Sequence, residues 1–66
     1  MSKLQISLAA ARVNAEMTQT EAAKAMSVSK NTLVNWEKGT SQPSITQAKE
    51  LAVIYKIPLD YIFFAD

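Results

Sequence analysis

An all-α fold, a compact bundle of five helices in a single domain spanning residues 1–66, is what this sequence predicts. Three observations predict it. Hydroxyl residues that can cap a helix stand ahead of helical apolar spacing at Ser2, Thr18, Ser29 and Ser44. No segment alternates apolar and polar residues in the manner of a half-buried strand. The only glycine, Gly39, and both prolines, Pro43 and Pro58, fall between the helical patterns.

Each element follows from local chemistry. Ser2 with Gln5, Thr18 with Glu21, and Ser44 with Gln47 match the box in which a hydroxyl bonds the third helical amide while Glu or Gln reaches back. Helix 1 is expected from about Lys3 to Ala15, with Leu4, Leu8 and Ala11 on one face and Ala9 and Ala10 as strong helix formers. Helix 2 covers about Gln19 to Met26 and buries Ala22, Ala23 and Met26; the alanines admit a close neighbour. Ser29 caps helix 3, with Val28 and Leu33 stapled across the cap. This helix runs from Lys30 to about Lys38 and stops at Gly39, before a polar loop over residues 40–43. Helix 4 takes Ile45 to Tyr55, with Ile45, Ala48, Leu51 and Ala52 inward. Pro58 forbids its continuation and suits the first turn of a short fifth helix through Phe64.

Composition narrows the function. A 66-residue chain buries only about 60% of its unfolded surface, so nearly all of its 48% apolar residues are needed for the core. Cysteine and histidine are absent, which removes disulfides, thiolate metal sites and the commonest general base. The six acids are spread singly and offer no catalytic pair, so neither an enzyme nor a metal or other cofactor is expected. The apolar stretches are too short to span a membrane and no signal-peptide pattern opens the chain, so cytoplasm is the expected compartment. No small-molecule ligand or sensing domain is expected in a chain this short. A net charge of +1 argues modestly against nonspecific polyanion binding, but what counts for nucleic acid is where the cations lie.

Helix 3 carries two of the seven, Lys30 and Lys38, on one face. At about 100° per residue, Lys30, Asn31, Val34, Asn35 and Lys38 fall within an arc of roughly 140°, and Leu33 and Trp36 lie opposite. Such an arc is either the solvated side of a surface helix or a recognition face. The helix-turn-helix spacing over residues 18–39, the lack of acids in the arc and its two asparagines favour recognition. Asparagine is a poor helix former, yet its amide matches the adenine edge in the major groove, while lysine can donate to guanine. Val34 suits a thymine methyl. Ser29 and Gln19 stand at helix N-termini, where capping and phosphate binding can coexist.

Gln19, Ala23 four residues on, Val28-Ser29 in the turn, Leu33 and Trp36-Glu37-Lys38-Gly39 together resemble the phage repressor/Cro (XRE) family, and the resemblance covers almost the whole chain. It implies a lambda repressor-like bundle of five helices that binds double-stranded DNA as a homodimer on a palindromic operator, with residues 30–38 in the major groove. The base readers it implies are Lys30, Asn31 and Asn35, followed by Thr32 and Val34. The phosphate contacts are Gln19, Ser29, Lys38, Thr40, Ser41 and Gln42. Arg12 and Glu37 are implied as a structural pair and Trp36 as a core aromatic. The chain departs from the family at Ser27 and Lys56, which replace frequent glycines.

Bulk accumulates at the end, in Tyr55, Ile57, Leu59, Tyr61, Ile62, Phe63 and Phe64. The family pattern favours Ile62 and Phe63 as caps of the core. Tyr61 and Phe64 are then either wrapped by the core or dimer contacts. The function expected is a sequence-specific DNA-binding transcriptional regulator, a Cro-like or small repressor of phage or mobile-element type. The alternative is a protein-interaction module of the same fold, such as an anti-repressor or antitoxin.

Overall fold

Residues 4–64 are described by a computed structural model. Four α-helices occur among them: α1 (Leu8–Asn14), α2 (Gln19–Met26), α3 (Lys30–Lys38) and α4 (Ile45–Tyr55). All four start at a hydroxyl that accepts from the third helical amide: Ser7, Thr18, Ser29 and Ser44. Thr18 with Glu21 and Ser44 with Gln47 form complete capping boxes. All four also end in one motif, a left-handed residue bracketed by two reversed hydrogen bonds. At the end of α2, Val28 N–H donates to the Ala23 carbonyl and Ser27 N–H to that of Lys24, both at 3.0 Å. The left-handed residues are Glu16, Ser27, Gly39 and Lys56, and only one of them is glycine.

The five-helix expectation is corrected at both ends. Helix 1 begins at Leu8 under the Ser7 cap, not near Lys3; Ser2 lies outside the described residues. Gln5 caps nothing there. Its side-chain amide donates instead to the Asp60 carbonyl at 3.0 Å, 55 positions along the chain. Ile6–Ser7 (β1) pairs in parallel with Ile62–Phe63 (β2), Ile6 opposite Ile62 and Ser7 opposite Phe63. The expected fifth helix is a single 3-10 turn, Leu59–Tyr61, followed by β2. Strand alternation explains the burial that results: Ile62 points in, Phe63 is 45% exposed, and Phe64 is partly buried against the core. Phe63 therefore does not cap the core.

The core is a stripe from each helix: Leu8 and Ala11; Ala22, Ala23 and Met26; Leu33 and Trp36; Ala48, Leu51, Ala52 and Tyr55, closed by Ile62. Two residues expected inward lie outside it. Leu4 is 88% exposed because it precedes α1, and Ile45 is 76% exposed because the stripe of α4 begins a turn later, at Ala48. α3 packs chiefly on α2, where fully buried Ala22 and Ala23 bring the two backbones close. No helix of the described residues is long and apolar enough to cross a membrane.

Candidate nucleic-acid interface

The outward face of α3 is set by what its other face must bury. Leu33 and Trp36, at 0% and 3% exposure, fix the helix's rotation. Lys30, Asn31 and Lys38 are consequently exposed, while Val34 and Asn35 are half-buried at the edges. The turn before α3 is three residues long, Ser27–Ser29, and its left-handed Ser27 reverses the chain so that Ser29 can cap. Ser29 Oγ accepts from Thr32 N–H at 3.1 Å and also pairs with Thr32 Oγ1 at 2.9 Å, which ties Thr32 to the cap rather than to the outer face.

α3 violates the rules for a helix stabilised by itself. Its first turn holds no acid, and it opens on Lys30, a cation placed at the positive end of the helix dipole. Asn31 and Asn35 are poor helix formers in its body. An anion at this end would relieve the first cost, and hydrogen-bond partners outside the molecule would use the second.

The following loop is bound to the same helix. The Asn35 carbonyl collects the N–H groups of Gly39 (2.9 Å), Thr40 (3.0 Å) and Ser41 (3.4 Å) and the Thr40 hydroxyl (3.3 Å). Thr40 and Ser41 are exposed and held in fixed register with Asn35; Gln42, next along, is also exposed.

Beneath the face lies a polar junction of three helices. Arg12 Nε donates to Glu37 Oε2 at 2.7 Å, with the two side chains only 15% and 7% exposed. Arg12 Nη1 donates to the Met17 carbonyl at 2.9 Å, and Gln19 Nε2 donates to the other Glu37 oxygen at 3.0 Å. One carboxylate thus joins α1, the start of α2 and the end of α3, and it orients the Gln19 amide. Tyr55 approaches the same junction. Its hydroxyl is buried without a hydrogen-bond partner, and burial, reinforced by the Glu37 charge and opposed by Arg12, pushes its pKa up to about 12. Sequence reasoning did not find the Gln19–Glu37 bond or the place of Tyr55, although Tyr55 continues the Ala48, Leu51, Ala52 stripe at helical spacing.

The structure therefore brings Lys30, Asn31, Val34, Asn35 and Lys38 to one face, places Thr40 and Ser41 on the loop bonded to it, and turns Gln19 partly toward Glu37. Tyr61, 45% exposed, and the partly buried Phe64 lie at the terminal end of the molecule.

A family model described as helix-turn-helix matches residues 8–62. Among curated proteins, the cryptic phage CTXphi transcriptional repressor RstR of Vibrio cholerae is similar: 38% identical over 48 residues, which is 73% of this chain and 43% of that protein. The chain thus spans less than half the length of this relative. No solved structure matches it. From the matched span, the capped three-residue turn and the face beyond it, the chain belongs to the XRE-type helix-turn-helix family.

Proposed function

We propose that the protein is a sequence-specific double-stranded DNA-binding transcriptional regulator, a Cro-like or small repressor that lays α3 in the major groove. The observation that carries this is the outer face of α3: Lys30, Asn31, Asn35 and Lys38 with no acid among them, on a helix whose opposite side is locked by Leu33 and Trp36. The similarity to a phage repressor supports the reading. Asn31 and Asn35 read adenine edges, Lys30 reads guanine, and Val34 meets a thymine methyl, with Thr32 beside them. Ser29, Lys38, Thr40, Ser41, Gln42 and the Glu37-held Gln19 contact phosphates, so the base readers are carried in between fixed backbone contacts.

One copy offers few cations, which favours a homodimer on a palindromic operator with half-sites about 34–36 Å apart. Tyr61 and Phe64 are its candidate contacts, joined by the exposed Phe63. Repression then follows from occlusion of promoter sequence. Selection from a random duplex pool tests the reading: a palindromic motif is expected. In gel shifts, Asn31→Ala or Asn35→Ala should relax preference at one base pair by about 1–3 kcal/mol, and Lys38→Ala should weaken all sequences and lower the salt slope by about one. No enriched motif, or variants that bind as the wild type does, would overturn it. The second reading, a protein-interaction module, is favoured only by the 45% exposure of Tyr61 and Phe63.

A further inference from the structure

The last two turns of α4 and the residues after it enclose an open trough of about 520 Å³. Val53, Ile57, Pro58 and Leu59 form its apolar walls, and Lys49 and Lys56 stand on its α4 edge. Lys49 lies within α4 and Lys56 is the left-handed residue that ends it, and both line the trough. No acid lines the trough. Glu50 lies on the other flank of Val53, in a separate depression against Ala25. Val53 is 75% exposed, a branched apolar side chain between two cations and in water. No residue of α3 lines either depression.

We infer that this trough is a docking site for an acidic segment of a partner protein, one that places an apolar side chain on Val53 and Ile57 between two carboxylates. A segment with an apolar residue flanked by acids matches the apolar lining and the two lysines beside it. A second copy is the wrong occupant. A two-fold contact centred here sets Lys49 and Lys56 near their own mates, four cations around an apolar patch with no carboxylate in it. A membrane is a poorer fit, since two lysines give weak attraction to anionic lipid. Because the trough shares no residue with the α3 face, the partner binds whether or not that face is occupied. The inference is independent of the DNA-binding reading.

The test uses the full chain and a synthetic peptide in which Leu is flanked by Glu residues, followed by heteronuclear NMR. Saturable amide shifts are expected at residues 49–59 and not in α3. Lys49→Glu/Lys56→Glu should weaken the peptide about tenfold, as two exposed ion pairs allow. The same double variant should gain affinity for the peptide carrying Lys in place of Glu. The variant should select the same DNA motif as the wild type and keep its α3 amide shifts, which separates this outcome from any failure of DNA binding. The inference is overturned by no saturable shift at about 1 mM peptide, by equal response to the Glu and Lys peptides, or by shifts centred on α3. It is equally overturned if vesicles of phosphatidylglycerol bind through these lysines while the peptide does not.

Discussion

The helix-turn-helix and the terminal closure are built from different kinds of contact. Over residues 18–39 both helices are capped by side chains, the turn is sealed by two backbone bonds, and fully buried Ala22, Ala23 and Leu33 hold the pair together. The closure of the chain ends pairs two strands of two residues and includes a Gln5–Asp60 hydrogen bond; Ile62 is deeply buried, Leu59 and Phe64 are partly buried against the core, and Phe63 and Tyr61 are left half in water. The first is rigid because local and tertiary contacts agree. The second depends on one deeply buried anchor and a pairing across nearly the whole chain. The surface proposed to fit a duplex stands on the first kind of construction.

Four perturbations break or sharpen that contrast. The largest effect is expected from Leu33→Ala, about 2–5 kcal/mol by chemical denaturation, comparable to the whole stability of a domain this small. In the closure only Ile62→Ala should approach it, whereas Gln5→Ala or Phe63→Ser should stay within about 0.5 kcal/mol. Losing the junction beneath the outer face of α3 comes next. Arg12→Met should cost about 1.5–3 kcal/mol, the range for a hydrogen bond to a charged group. Adding Glu37→Met to it should recover part of that loss, since the stranded carboxylate is then gone.

Third, Glu16→Gly, Ser27→Gly and Lys56→Gly should each raise stability by up to about 1 kcal/mol, because all three residues are held left-handed at φ near 57–59°. A gain confined to Ser27 would mean that the other two helix ends are not under the same constraint. The last effect appears only in alkali. Tyr55 ionises near 10.0 when unfolded and is held protonated to about 12 in the fold, so the unfolded state releases its proton first. Its contribution is complete below pH 10.0 and is lost as pH rises toward 12. Tyr55→Phe should flatten the decline measured by thermal melting across that window.

Sequence reasoning reads what is local. The caps at Thr18, Ser29 and Ser44, the arc on α3 and the stop at Gly39 are each written within a few residues, and each lies there in the structure. The β1–β2 pairing was not legible. Its strands are two residues long and 55 positions apart, too short to show alternation, so Ser2 with Gln5 read as a cap and residues 58–64 as a helix. Glu16 and Lys56 hid a repeated helix-end motif because no glycine marks it. The Gln19–Glu37 bond requires α2 and α3 to be packed together before it exists. The candidate base readers were visible because their arc follows the turn spacing, holds no acid and carries two asparagines, poor helix formers.

The central claim is that the outer face of α3 chooses the sequence bound, and changing that choice tests it most directly. Asn35→Arg replaces an adenine-matching amide with a guanine-matching guanidinium. Selection from a random duplex pool should then move one symmetric position in each half-site from adenine to guanine, leaving the spacing unchanged. An identical motif for wild type and variant, or a change spread without symmetry, would contradict the account.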